Sequence, residues 1–163
     1  MANELIRATM AFLVDRKAGV VHLARRKVEP FKNSYSGYGG KLEKDETPLA
    51  CIVREIKEEA YVEVLRSELE WIGIMDTHRI HGFPAPLRFR VHLYVATSWA
   101  GTILESDEMS LPTIISLDDI ALSDLRPEIV HSLRHIEQRT KSGIWIRAYD
   151  IDDGHCDVTS SHI

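Results

Sequence analysis

The chain has 163 residues, of which 44% are hydrophobic and 28% charged, and its formal net charge is −5. That length suits one domain over residues 1–163 with a single core, and the composition is ordinary for a soluble protein. The acidic balance argues against a nucleic-acid surface and the two cysteines against a disulfide scaffold. The apolar run at 10–14 is far too short to span a membrane, and no secretory signal is evident. A cytoplasmic protein with reduced thiols, without nucleic-acid or membrane partners, is expected.

In chain order, residues 7–14 and 20–25 are predicted as strands joined by a turn at 15–19, a hairpin. Residues 27–36 form a polar loop that runs into Gly37-Tyr38-Gly39-Gly40, where glycines allow close backbone approach. A helix follows. Thr47 is a good N-cap, Pro48 suits the first helical position, and Leu49, Ile52, Val53, Ile56 and Ala60 make an apolar stripe. Strands are predicted at 71–75 and 87–97, with a His-, Pro- and Gly-rich loop at 77–86 between them, and shorter strands at 101–104 and 113–117. A second helix is predicted at 128–139, with Ile129, Leu133 and Ile136 on one face. A strand at 145–151 turns at 152–154 toward 157–159. Trp71 and Trp145 are expected in the sheet core. This order implies a mixed sheet flanked by helices.

Between Gly40 and Val62 lie six acidic residues and one arginine. Glu55, Glu58 and Glu59 are spaced i, i+3, i+4, so on a helix they share one face, off the apolar stripe. Clustered carboxylates suit hard cations, Mg²⁺ or Mn²⁺, which prefer oxygen ligands. Arg54, four residues before Glu58, is placed to pair with it.

Gly40, five residues, Glu46, seven residues, then Arg54-Glu55-Ile56-x-Glu58-Glu59-x-Val62 resembles the signature of the Nudix hydrolases. Tyr61 stands where that family has glycine. The resemblance implies an α/β/α sandwich with a mixed β-sheet and a metal-binding helix beside the active cleft. It implies hydrolysis of a nucleoside diphosphate linked to another group, with Glu55, Glu58, Glu59 and the Gly39 carbonyl as metal ligands. Glu46 and Gly40 take structural roles, and Glu58, Glu59 and Arg54 catalytic ones.

The likeness extends to the branch that hydrolyses oxidised purine nucleoside triphosphates. Glu105-Ser-Asp-Glu108-Met109 is similar to its second acidic segment, which makes Glu108 a metal ligand or general base and Met109 a base contact. The segment 35–41 is similar to its Trp-Asn-Gly-Phe-Gly-Gly-Lys, which marks Ser36, Tyr38 and Lys41 as substrate contacts, although Ser36 replaces an asparagine. Arg126-Pro127-Glu128-Ile129 stands where the branch has Trp-Pro-Asp-Asp. Arg126 can stack on a base and Glu128 accept from it, but the second acid is lost to Ile129. Arg26 is a candidate for phosphate or sugar. His78 and His81 lack the further ligands a zinc site needs.

Three functional classes follow. The first is a Mg²⁺-dependent nucleoside triphosphate pyrophosphohydrolase acting on purine or oxidised purine nucleotides. The second is another Nudix chemistry, on a dinucleoside polyphosphate, nucleotide sugar, ADP-ribose or capped RNA. The third is a non-catalytic nucleotide-sensing module. The chain shows no added domain or basic stripe for RNA, so the expected partner is a small-molecule nucleotide, and the complete acidic trio favours an enzyme.

Overall fold

Residues 4–80, 87–122, 124–139, 141–151 and 156–163 are described by a computed structural model, and they build a mixed eight-stranded sheet flanked by helices. The strands are β1 (Leu5–Asp15), β2 (Val20–Arg25), β3 (Tyr35–Ser36), β4 (Leu69–Ile80), β5 (Leu87–Ala96), β6 (Thr113–Ser116), β7 (Ile144–Ile151) and β8 (Asp157–His162). The helices are α1 (Pro48–Ala60) and α2 (Pro127–Glu137). The sheet order is β3-β2-β1-β5-β4-β7-β8, with β6 beside β2. The pairs β1–β5 and β4–β7 are parallel and the remaining pairs antiparallel.

The single core expected from the length is in fact two, because strand alternation sends the apolar residues to both sides of the sheet. Phe12 and Val14 of β1 pack with Leu93, Ile146 and the α2 residues Ile129, Leu133 and Ile136. Ala11 and Leu13 of the same strand pack with Tyr94 and the α1 residues Ile52, Ile56 and Ala60. The apolar stripes read from the two helices are therefore the faces that bury. Cys51, also on α1, is fully buried against β1, with Sγ 3.2 Å from Thr9 Oγ1.

The helix α1 begins as its sequence dictates: Thr47 Oγ1 accepts the Ala50 N–H at 3.2 Å. It ends on Tyr61, which takes the left-handed conformation (φ 58°, ψ 27°) and donates its N–H to Lys57 O at 3.2 Å. The geometry that glycine normally provides is thus kept by a tyrosine, at a steric cost.

Four expectations change. The strand expected at 71–75 continues to Ile80, because a register shift after Thr77 restores pairing of Ile80 with Leu87 and Ile151. The predicted loop at 77–86 loses its first residues to that strand, and its remainder, with His81, lies outside the described residues, as does the turn at 152–154. Residues 101–104 form no strand; Ile103 packs in the α1 core and Leu104 N–H bonds to Ala60 O at 3.1 Å, which closes the helix end. The two tryptophans are not core: Trp71 is 42% exposed and Trp145 half-buried, its indole N–H directed to Asp76. A buried indole would still need an acceptor, and Asp76 supplies it at the sheet surface. His78 stacks on Tyr149 at 4.9 Å between ring centres.

Replacing Tyr61 with glycine removes the left-handed penalty without touching the core. Tyr61→Gly is expected to stabilise the protein by about 1 kcal/mol, part of the gain being offset by the greater freedom of the unfolded chain. The midpoint of urea unfolding checks this, and a lower midpoint refutes it.

Candidate active site

The acidic residues of α1 are positioned by the segment that precedes it. Residues 38–41 lie along β1: Thr9 N–H bonds to Gly40 O at 2.9 Å, and Tyr38 and Ala11 exchange backbone bonds at 2.7 and 2.9 Å. Two glycines make this possible. A Cβ at Gly39 would sit 2.1 Å from Thr9 O, and one at Gly40 would sit 2.4 Å from a Glu55 carboxylate oxygen.

Arg54 links this segment to the helix. It grips both Glu46 oxygens at 2.9 Å through Nε and Nη2, and Nη1 donates to Glu55 at 2.7 Å and to Glu58 at 3.0 Å. Glu46 also accepts the Glu43 N–H at 2.9 Å. The Arg54 hydrogen bonds bring the Glu46 carboxyl down to about 2. Charge-assisted, bidentate pairing of this kind fixes geometry as well as charge.

Glu59 differs from its neighbours. It is 4% exposed; one oxygen accepts the Gly39 N–H at 2.8 Å and the other has no partner. Burial pushes its carboxyl up to about 8, although the Gly39 amide and Arg26 oppose this. Burial also raises Glu55, despite Arg54. Glu108 is exposed, lines the same cleft and adds its negative charge to the surroundings of both Glu55 and Glu59.

These donors fit a hard cation: they are all oxygen, they crowd negative charge, and one buried carboxylate oxygen lacks any proton donor. Among the described residues no three acidic side chains already stand at ligand spacing. The reason is visible in the contacts, since Arg54 engages Glu55 and Glu58 while the Gly39 amide draws Glu59 aside.

A cleft of about 580 Å³ opens beside these acids. Arg26, Ser36, Gly39, Gly40, Lys41, Glu55, Glu58 and Glu108 line its polar end. Met10, Phe31, Met75, Ile80, Phe89 and Val91 line its apolar end. Arg26 is oriented by Pro30 O, to which Nε donates at 2.8 Å.

The remaining expected contacts are placed elsewhere. Tyr38 and Met109 are fully buried in the α1 core, away from the cleft lining. Pairing with Ala11 turns the Tyr38 side chain inward, and burial raises its phenol well above the usual range. Arg126 and Glu128 do not line the cleft but stand behind it. The Arg126 guanidinium lies 3.6 Å from the centre of the Phe31 ring and pairs with Glu128, which is 3% exposed. Phe31 escaped the sequence reading. Its signal is slight, since it is one of two aromatic residues, with Tyr35, in the polar loop at 27–36.

The NUDIX domain family matches residues 4–136. No curated protein sequence matches the chain. Among solved structures, a mutator MutT protein from Bacillus halodurans is similar, with a TM-score of 0.76 at 19% identity, covering 96% of this chain and 97% of that one. A MutT NUDIX hydrolase from Burkholderia pseudomallei is similar at TM-score 0.69 and 21% identity, over 82% of this chain and 98% of that one. A MutT protein from Methanosarcina mazei gives 0.69 at 16% identity, over 86% and 99%. At such identities these likenesses concern the fold, and it is the family match over residues 4–136, agreeing with the Arg54-centred acid cluster, that makes this chain a member of the Nudix hydrolase family.

Proposed function

We propose that the protein is a Mg²⁺- or Mn²⁺-dependent nucleoside triphosphate pyrophosphohydrolase. It converts a nucleoside triphosphate and water into the monophosphate and pyrophosphate, acts on purine or oxidised purine nucleotides such as 8-oxo-dGTP, and serves nucleotide-pool sanitation in the cytoplasm. Glu59 carries this proposal: a buried carboxylate with one unpartnered oxygen, held by the amide of the cleft residue Gly39, is costly unless a cation engages it.

Glu55, Glu58, Glu59, Glu108 and the Gly39 carbonyl are the groups that would hold the metal. When bound, it would neutralise charge on the phosphates and lower the pKa of a bound water. Arg54 positions Glu55 and Glu58 by holding them against Glu46. Arg26 and Lys41, both lining the cleft, would meet the phosphate chain. Glu108, exposed at the cleft edge, is suited to accept a proton from the attacking water. Phe31, Met10 and Phe89 offer flat or soft surfaces to a base.

A second substrate class has specific support. Ile129, the residue that stands where the related branch has an acid, is 2% exposed in the α2 core, and Ser36, which replaces the branch's asparagine, offers one hydroxyl that is 4% exposed. A cleft poor in groups that read a base edge discriminates weakly between bases. A dinucleoside polyphosphate, nucleotide sugar or ADP-ribose therefore remains the alternative.

A panel of these compounds with Mg²⁺, read by released pyrophosphate or phosphate, tests both. Turnover of a purine triphosphate with release of pyrophosphate supports the first; turnover of another class replaces the substrate, and turnover of none leaves a sensing module. Glu58→Gln and Glu59→Gln are each expected to retain the fold by circular dichroism and to lose at least about 10²-fold in rate. Full activity in both removes the metal assignment.

The raised Glu59 carboxyl also gives the metal-free protein a pH signature. The group favours the fold while protonated, so its contribution is complete below its ordinary value of 4.5 and is lost as pH rises through about 8. In chelator, the urea midpoint is expected to be lower at pH 9 than at pH 6. Glu59→Gln shrinks that difference, and Mg²⁺ restores the wild-type midpoint at pH 9. An equal pH dependence in wild type and variant refutes the assignment.

A further inference from the structure

Each strand has two sides, and the cleft uses only one of them. Met75 and Thr77 of β4, with Phe89 and Val91 of β5, face the cleft. The alternate residues Asp76, Arg90 and His92 therefore face the reverse side of the sheet. There Arg90 donates to both Asp76 oxygens at 2.8 Å, and Trp145 of β7 donates its indole N–H to the same carboxylate at 3.1 Å. Burial alone would raise Asp76, but Arg90 and Trp145 hold it below the ordinary carboxylate value, so the pair stays charged. The Arg147 guanidinium lies 3.8 Å from the centre of the Trp145 ring, and Tyr149 two residues on carries the stacked His78.

Further arginines join this array. Arg7 of β1 is in register with Arg90, and Leu5 with Arg88, so both added guanidiniums belong to the same side. Burial lowers the His92 imidazole, and the adjacent Arg7 and Arg90 lower it further. Four arginines thus gather on one sheet face of a chain whose net charge is −5. The acids paired into that face by register are Asp76 and, at its edge, Asp157. The helix α1 packs on β1, and the described helices leave Arg7 exposed and Trp145, Arg147 and Tyr149 part-exposed.

We infer that this face binds single-stranded nucleic acid, its guanidiniums holding phosphates while Trp145, Tyr149 and Arg147 stack with bases. Arginine combined with flat rings on a part-exposed sheet face matches the two needs of such a strand, charge neutralisation and base stacking. A second copy of the chain would bring arginines against arginines across a two-fold axis. An acidic peptide would satisfy the charge but bring no flat group to extend the stacks that Arg147 makes on Trp145 and His78 on Tyr149. The net charge, which counts the acids of α1, conceals this local surplus.

The test uses the full chain with Mg²⁺ and a labelled single-stranded RNA of about ten nucleotides bearing a 5′-hydroxyl, which offers the cleft no 5′-terminal polyphosphate. Fluorescence anisotropy at low salt is expected to show saturable binding, and log affinity to fall against log salt with a slope of about −2 if three phosphates are engaged. Arg7→Glu combined with Arg147→Glu is expected to weaken binding at least about tenfold, and Tyr149→Ala about five- to tenfold, with unchanged circular dichroism and thermal midpoint. Because none of these three residues lines the cleft, the outcome is independent of the substrate panel. Absence of binding at low salt, or affinity unchanged in the variants, overturns the inference. So does polyglutamate competing as well as RNA, or a concentration-dependent dimer that the charge reversals dissolve.

Discussion

A single guanidinium organises the acidic half of the cleft. Arg54 holds Glu46 from the loop and Glu55 and Glu58 from its own helix, so that carboxylates which would repel one another share one cation. The fork is suited to this, since its planar donors engage two oxygens of Glu46 and still reach the helix face. Arg54 is only a quarter exposed, and Glu46 and Glu55 less than that. Loss of one partner from a fully buried pair costs about 3–5 kcal/mol; here part of that is relieved by water, and the larger consequence is positional. With Arg54 in place, Gly40 must remain without a side chain, because Glu55 already occupies the space.

The two faces of the central strands carry unrelated chemistry. Consecutive residues of β4 alternate between an apolar cleft wall and a charged, aromatic surface, so the register with β5 assigns each side chain to one task. A slip of one residue would exchange Asp76 with Thr77 and bury a carboxylate in the cleft. The bidentate pair between Asp76 and Arg90 is one of the contacts that oppose such a slip.

Much of this was legible in the chain because it is local. The cap at Thr47, the apolar stripe of α1 and the placement of Glu55, Glu58 and Glu59 depend on a period of 3.6 residues and a few neighbours. The long strands β1, β2 and β5 followed from alternation and composition. What escaped depends on distant partners. Tyr38 faces inward because its backbone pairs with Ala11, twenty-seven positions away in the chain, and Met109 is buried by the packing around it. The extension of β4 past Thr77 relies on a register shift that only β5 and β7 define. Phe31 becomes a cleft residue through the path of an irregular loop, and the basic sheet face exists only after four strands have been laid side by side.

Cys51 adds a consequence for how such a protein ages. Its thiol lies beneath the acidic helix, and burial pushes it up to about 11. The reactive form of a cysteine is the thiolate, and its access to solvent decides how fast peroxide reaches it. A sulfur kept protonated and covered by the helix it supports is a poor target for oxidants, so the packing under the carboxylates persists under oxidising conditions.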